Sequence, residues 1–309
     1  MQIRDVSLPV DVVGHGPPLV LMHGGPGADR FTLWPLRRLR NRRTLVLYDH
    51  RCNGRAHGAP VTSMTWENLT ADADALRERL GFERWAVLGH SFGGHVALEY
   101  ALRYPDRVTQ LVLVDSAATS WWSQEHAPTV LASRGWSPQI VALARRWFNG
   151  EIEPGEMFRN LMRLGPAYYH HPSTLALVRD VLQGSWRTKL RPEALMFAGR
   201  HLMKGWWIVH RLPEIAVPTL VVAGASDFVF PPAAQAELVA GIPNAQLHLI
   251  QGAGHEPWSE RPGEFFPVLR RFLSAAADVN RPGAEPSPAQ SPGLPWPQSE
   301  PPRPTTPAG

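Results

Sequence analysis

The chain has 309 residues, of which 44% are hydrophobic and 19% are charged, and this composition predicts a globular protein without a membrane-spanning segment. Its net charge is +4, and arginines cluster between positions 37 and 43. Because no nucleic-acid-reading element accompanies this cluster, nucleic acid is not predicted as a partner. A membrane is not predicted as a partner either. Cys52 is the only cysteine, which excludes an intrachain disulfide and a metal site built from several cysteines. The N-terminal residues contain no apolar signal core, so the cytoplasm is the expected location.

Short apolar runs alternate with helical patterns along most of the chain. Strands are predicted at Leu19–Met22, Thr44–Tyr48, Trp85–Leu88, Leu111–Val114, Thr219–Ala223 and Gln246–Ile250. Helices are predicted at Trp66–Leu80, Gly93–Tyr104, Ala233–Val239 and Glu264–Ala276. Because the strands are almost continuously apolar, we expect both faces of the sheet to be covered. The predicted fold class is therefore α/β, with a mostly parallel, doubly wound sheet.

Residues 117–211 interrupt this alternation and form a predicted helical insertion, which we call the cap. Its predicted helices are Ile140–Phe148, Met157–Leu164, Thr174–Leu182 and Glu193–Val209. An insertion between two strands can form a lid over the active face. The catalytic domain would then comprise residues 1–116 and 212–278. The remaining residues, 279–309, are rich in proline and poor in aliphatic side chains, so a disordered tail is predicted.

The sharpest local motif is G-H-S-F-G at Gly89–Gly93, which places Ser91 between a predicted strand and a predicted helix. The two glycines allow a very tight turn, which lifts the serine hydroxyl above the ends of the strands. The amide dipoles at the start of the following helix lie beneath that hydroxyl. A strand, a sharp turn and a helix in this order predict that Ser91 is a nucleophile.

A serine nucleophile needs a base, and the base needs a third group to orient it. Asp227 and His255 each follow a predicted strand, in the chain order serine, acid, histidine that suits a strand–turn–helix serine. Ser91, Asp227 and His255 are therefore the predicted catalytic residues. Asp115 also ends a predicted strand on the same face, and it remains a second candidate for the acid.

Acyl transfer also requires donors for the oxyanion of the tetrahedral intermediate. The segment His23–Gly27, H-G-G-P-G, follows the first predicted strand, and its glycines let the backbone approach a substrate. The predicted donors are the backbone amides of Gly25 and Phe92. No Gly-Lys-Ser/Thr follows the glycines, so a phosphate-binding loop is not predicted.

These motifs, together with the segments Asp49–Arg55 and Gly252–His255, resemble the α/β-hydrolase superfamily. The H-G-G-P-G and Y-D-x-R-x-x-G-R forms resemble its proline iminopeptidase branch. The resemblance covers residues 17–115 and 217–272. It implies a mainly parallel sheet of eight strands, a helical cap, no cofactor, and hydrolysis through an acyl-enzyme.

The cap departs from that branch, in which acidic residues bind the free amino group of the substrate. Phe228 follows Asp227, and the helix predicted from Glu193 carries Arg200, His201 and Lys204. Four further acids are weaker candidates to face the site: Glu125, Glu151, Glu153 and Glu156. The cap is also rich in aromatic rings, and some of them are expected to line an apolar pocket.

The sequence thus predicts a serine hydrolase that cleaves an ester, lactone or amide bond of a small, largely apolar molecule, without cofactor or metal. A prolyl aminopeptidase is the alternative that the branch resemblance implies. A non-hydrolytic binding protein or lyase on the same fold is a second alternative, because fold does not determine function. The oligomeric state is left open.

Overall fold

The computed structural model describes residues 1–171 and 185–279. The helix predicted at Thr174–Leu182 and residues 280–309 of the predicted tail lie outside the described residues. Within the described ranges, no helix is long and apolar enough to cross a membrane.

A seven-stranded sheet organises the described chain, in the order β3-β5-β4-β6-β7-β8-β9. Its strands are β3 (Val10–Val13), β4 (Pro18–Met22), β5 (Thr44–Tyr48), β6 (Trp85–His90), β7 (Val108–Val114), β8 (Thr219–Gly224) and β9 (Ala245–Ile250). The β3–β5 pair is antiparallel, and all other neighbours are parallel. The mostly parallel α/β sheet predicted from the apolar runs is confirmed.

The eight-stranded sheet that the family resemblance implies is wrong for the described chain. The first two strands, β1 (Gln2–Ile3) and β2 (Val6–Ser7), pair with each other in a separate antiparallel hairpin. The turn between them places Arg4 at a φ of 51°. This sharp reversal makes β1 and β2 each other's partners, so they do not extend the main sheet.

Each strand of the main sheet contributes side chains to two cores, because successive residues point to opposite faces. Val20 and Met22 pack on the face covered by α1 (Trp66–Arg79), α2 (Phe92–Arg103) and α7 (Pro232–Gly241). Leu19 and Leu21 pack on the other face, with the 3₁₀ segment Arg30–Leu39 and α9 (Pro262–Val279). Short α8 (Pro257–Glu260) precedes α9. Burial on both faces explains the near-continuous apolar runs in the sequence.

The sheet brings the motif-bearing loops to one edge. The chain passes from β4 outward to β5 and then returns across β4 to β6, so the direction in which strands are added reverses beside β4. Ligand sites of open α/β sheets lie outside the carboxyl ends of the strands at such a reversal. Ser91 directly follows β6 there, and the loop after β4 lies next to it.

The described part of the cap is helical, with α3 (Ala127–Ser133), α4 (Pro138–Phe148), α5 (Met157–Leu164) and α6 (Pro192–Phe197). These helices share a core with Phe228 and Phe230 of the catalytic part. The helix predicted over Glu193–Val209 is wrong beyond its first ten residues. After α6 one π-helical turn ends at Leu202, and the turn that follows contains Gly205, whose φ is 67°. A left-handed glycine is a common helix terminator, and the following Trp207 instead pairs with Thr119.

Candidate active site

Ser91 occupies a strained turn between β6 and α2. Its φ is 54° and its ψ is −123°, a combination that non-glycine residues rarely adopt and that usually marks a functional position. The Ser91 N–H donates to the carbonyl of Val114 at 3.0 Å, and the Ser91 carbonyl accepts from the Gly94 N–H at 2.8 Å. The serine is half-buried between buried neighbours. This strained conformation marks Ser91 as a candidate functional residue directly after β6.

The glycines around Ser91 are required by close backbone contacts. A Cβ atom on Gly93 would overlap the carbonyl oxygen of Met22 at the end of β4. A Cβ atom on Gly24 would lie only 3.0 Å from the Cβ of Ser91 and 2.7 Å from Nδ1 of His90. The loop that follows β4 therefore lies directly against the serine.

We expect Gly93→Ala to destabilise the protein by about 1–3 kcal/mol or more, because a methyl group there must displace the backbone of β4. Thermal or urea unfolding measures this loss. Gly263→Ala is the matched control, since Gly263 is exposed in the first turn of α9 and has open space around it. That substitution should be neutral or slightly stabilising. Equal effects of the two substitutions would contradict the packing argument.

His255 and Asp227 form a buried, hydrogen-bonded pair at the ends of β9 and β8. Nδ1 of His255 lies 2.8 Å from Oδ2 of Asp227, and the two residues are 4% and 1% exposed. Because the carboxylate accepts, Nδ1 carries the hydrogen and Nε2 is left as the basic nitrogen. Oδ1 of Asp227 accepts the backbone N–H of Val229 at 2.8 Å, which orients the carboxylate.

The backbone of His255 is held from two sides. Its N–H donates to the carbonyl of Tyr168 in the cap at 2.7 Å. Its carbonyl accepts from Nε2 of His90, the residue before Ser91, at 3.0 Å, and the two imidazole rings are 4.8 Å apart. Burial and the neighbouring His255 hold the pKa of His90 well below its usual value, so this ring is neutral. His90 thus links the serine turn to His255, a contact that the motif alone did not predict.

Asp115, the second candidate for the acid, lies in the same cluster but is bonded differently. One of its carboxylate oxygens, one of Asp227 and a ring nitrogen of His255 lie within 4.8 Å of one another. Oδ1 of Asp115 accepts the backbone N–H of Gly224 at 2.9 Å. The Nδ1–H of the His255 ring donates to Asp227, whereas Asp115 accepts no hydrogen bond from that ring in the described chain.

The predicted oxyanion donors lie on the two segments that meet at Ser91. Gly25 is exposed with a φ of 56°, and its carbonyl accepts the N–H of Ala28 at 2.8 Å in a tight turn. Phe92 is the first residue of α2, where backbone N–H groups have no partner within the helix. Both amides therefore belong to backbone that can face a developing negative charge.

The Asp49–Arg55 motif supports this loop from behind. The buried carboxylate of Asp49 accepts the backbone N–H groups of Arg30 at 3.1 Å and of Arg55 at 2.9 Å. The side chain of Asn53 accepts the N–H of Gly27 at 2.5 Å. Sequence reasoning recognised this motif only by resemblance. The structure gives it a physical role, which is to hold the C-terminal end of the glycine loop and the residues that follow it.

Two aromatic rings lie near His255, one from the cap and one from the catalytic part. The ring of Tyr168 is 5.3 Å from His255, and Phe230 of the β8–α7 loop lies on another side at 6.0 Å. Burial raises the pKa of Tyr168, so its hydroxyl is neutral. His255 therefore has aromatic neighbours on the cap and on the catalytic part.

The candidate cap acids lie on the surface of the described chain. Glu125 pairs with Arg145 and Glu156 with Arg159, while Glu151 and Glu153 are exposed. Glu193 pairs with Arg191 and is also exposed. None of these five carboxylates contacts Ser91 or His255 in the described structure. This arrangement does not resemble an amine-binding pocket.

The parallel sheet, the strained serine turn and the histidine–aspartate pair at successive strand ends define an α/β-type hydrolase scaffold. The sequence model of the α/β-hydrolase fold family matches residues 17–262, so the chain belongs to that family. This confirms the predicted superfamily and fold.

Individual relatives carry several activities. The proline iminopeptidase of Neisseria gonorrhoeae is 27% identical over 270 residues, which cover 78% of this chain and 83% of that protein. The putative carbamate hydrolase RutD of Caulobacter sp. strain K31 is 28% identical over 278 residues, which cover 83% of this chain and 95% of that protein. The solved structure of a thermophilic esterase from Thermogutta terrifontis aligns with a TM-score of 0.69 at 25% identity, over 88% of this chain and 94% of that one.

Proposed function

We propose that the chain is a serine hydrolase that cleaves an ester, lactone or amide bond of a small, largely apolar molecule. The observation that carries this proposal is the half-buried serine in a strained turn beside a buried, hydrogen-bonded histidine–aspartate pair. Binding alone requires no such pair, because only a nucleophile needs an oriented base.

In the proposed mechanism, Ser91 Oγ attacks the substrate carbonyl carbon while its proton passes to Nε2 of His255. Asp227 accepts the Nδ1 hydrogen and stabilises the imidazolium that forms. The amides of Gly25 and Phe92 would donate to the oxyanion. The imidazolium then gives its proton to the leaving alcohol or amine, and the same nitrogen activates a water molecule that releases the acid from the acyl-enzyme.

Two features support an apolar substrate without a charged amino group. Tyr168 and Phe230 place aromatic rings beside the base. The five cap acids that could bind an ammonium group pair with arginines or face the exterior of the described chain. A neutral ester or lactone therefore suits this surface better than a peptide N-terminus.

A prolyl aminopeptidase is the second candidate, and the similarity to the Neisseria proline iminopeptidase favours it. The two functions are separated by assaying a p-nitrophenyl acyl ester and proline p-nitroanilide side by side. We expect the anilide to be turned over at least about 100-fold less efficiently, because its ammonium group would lie unpaired in an aromatic site.

Glu193→Gln is the matched variant for this comparison, since it neutralises the acid in the first turn of the cap helix α6. We expect it to leave ester kcat/KM unchanged. Two results together would support the aminopeptidase and contradict our proposal: efficient turnover of proline p-nitroanilide by wild type, and a higher KM for that substrate in Glu193→Gln.

A further inference from the structure

Asp115 and Asp227 are two carboxyl groups buried side by side. They lie in the segments that follow the neighbouring strands β7 and β8, and they are 0% and 1% exposed. Two adjacent carboxylates in a site of low dielectric cannot both ionise without a compensating cation, because their repulsion adds to the cost of desolvation.

The groups around the pair supply little compensation. Within residues 1–171 and 185–279, no lysine or arginine forms an ion pair with either carboxylate. Arg134, which directly follows α3, comes near, but it donates to the backbone carbonyls of Ser226 at 2.7 Å and Asp227 at 3.5 Å. Glu256, next to the base, adds a further negative charge that disfavours ionisation of Asp115.

The hydrogen bonds assign the charge to one member of the pair. Asp227 accepts from both the His255 ring and the Val229 amide, two bonds that stabilise a carboxylate. Asp115 accepts from Gly224 through Oδ1, whereas its buried Oδ2 accepts no hydrogen bond from any described residue. Burial and the charge of Asp227 together hold the pKa of Asp115 well above its usual value. An unbonded oxygen in this setting is where a proton is expected.

We propose that Asp115 is a positioning residue, held protonated at neutral pH, whose carboxyl O–H donates to the carboxylate of Asp227. This proposal rests on the proposed function, in which Asp227 orients His255. The bond would hold Asp227 in place and draw negative charge away from the side that faces the imidazole. Asp115 would thereby tune the basicity of His255 without touching the substrate.

Two substitutions test the proposal. In Asp115→Asn, the amide oxygen can accept the Gly224 N–H while the NH₂ group donates to Asp227, so the variant imitates a protonated acid. We expect ester kcat/KM within about threefold of wild type and an unchanged acidic limb of its pH profile. In Asp115→Leu, the donor is lost. We expect kcat/KM to fall about 10-fold, and the acidic limb to move to higher pH because the full charge of Asp227 then stabilises the imidazolium.

Stability gives a readout that does not depend on catalysis. At neutral pH, Asp115 would be protonated in the folded protein and ionised in the unfolded chain, so the folded state binds one more proton. The free energy of unfolding of wild type therefore falls as the pH rises above the pKa that Asp115 has in the unfolded chain. Asp115→Asn removes this penalty, and we expect its Tm at pH 7 to exceed that of wild type. An infrared band of a protonated carboxyl group, present in wild type, should be missing from Asp115→Asn.

Other results would overturn the proposal. A shift of the acidic limb to lower pH in Asp115→Asn, without loss of an infrared band, would mean that Asp115 is ionised. A loss of activity on treatment with EDTA would mean that a divalent cation balances the two carboxylates. An unchanged pH profile in Asp115→Leu would refute the positioning role. A wild-type protein that resists fluorophosphonate labelling would instead refute the proposed function, while the infrared and stability results would still decide the proton on Asp115.

Discussion

Ser91→Ala is expected to lower kcat for ester hydrolysis by about 10⁴-fold or more, and to abolish labelling by a fluorophosphonate probe. Alanine retains the turn but has no atom that can form the acyl-enzyme. The Ser91 hydroxyl makes no hydrogen bond to another described residue, so its removal should change the Tm by no more than about 2 °C. Steady-state kinetics, mass spectrometry of the labelled protein and a thermal melt measure the three effects.

Ser133→Ala is the matched control for this experiment. Its hydroxyl is exposed on α3 and bonds only to the carbonyl of its own helix turn at Val130. It should keep full activity and full labelling. Labelling that survives in Ser91→Ala would place the reactive group elsewhere, and a large fall in the Tm would show that the serine is retained for the fold.

The strands and the serine turn could be predicted because each follows from local chemistry. Buried parallel strands must be apolar on both faces, so their runs stand out in the sequence, and the observed β5 (Thr44–Tyr48) has the predicted bounds. The glycines flanking Ser91 are equally local, since close contact between β4, β6 and α2 excludes any Cβ at Gly93.

The features that the sequence did not predict depend on contacts distant along the chain. The two candidate acids, Asp115 and Asp227, both follow adjacent parallel strands, so the strand pattern alone does not distinguish them. Only the side-chain geometry separates them. The support of the glycine loop by Asp49 and Asn53 is likewise a set of buried polar contacts without periodicity. In the cap, the sequence pattern that predicts a helix continues past Gly205, but the helix does not, because Gly205 has a left-handed backbone conformation.

Asp227→Asn is expected to lower kcat by about 10⁴-fold while the fold is retained. The backbone determines how the new amide is oriented. The N–H of Val229 donates to Oδ1 of Asp227, so the amide oxygen must take that position and the NH₂ group must face the His255 ring. An NH₂ group there donates to Nδ1 and forces the ring hydrogen onto Nε2. The nitrogen that should accept the serine proton is then blocked.

The comparison with Asp115→Asn makes this prediction specific. Both variants remove one carboxyl group from the same buried cluster, so a general effect on charge or folding should be similar in both. The geometry predicts that only Asp227→Asn lowers kcat strongly. In Asp115→Asn, the new amide can donate to Asp227 as a protonated acid would. In Asp227→Asn, the new amide forces the ring hydrogen of His255 onto the other nitrogen. Kinetics over a pH range on both variants measures the difference. A nearly silent Asp227→Asn beside an inactive Asp115→Asn would reverse the assignment of the acid and make Asp115 the residue that orients His255.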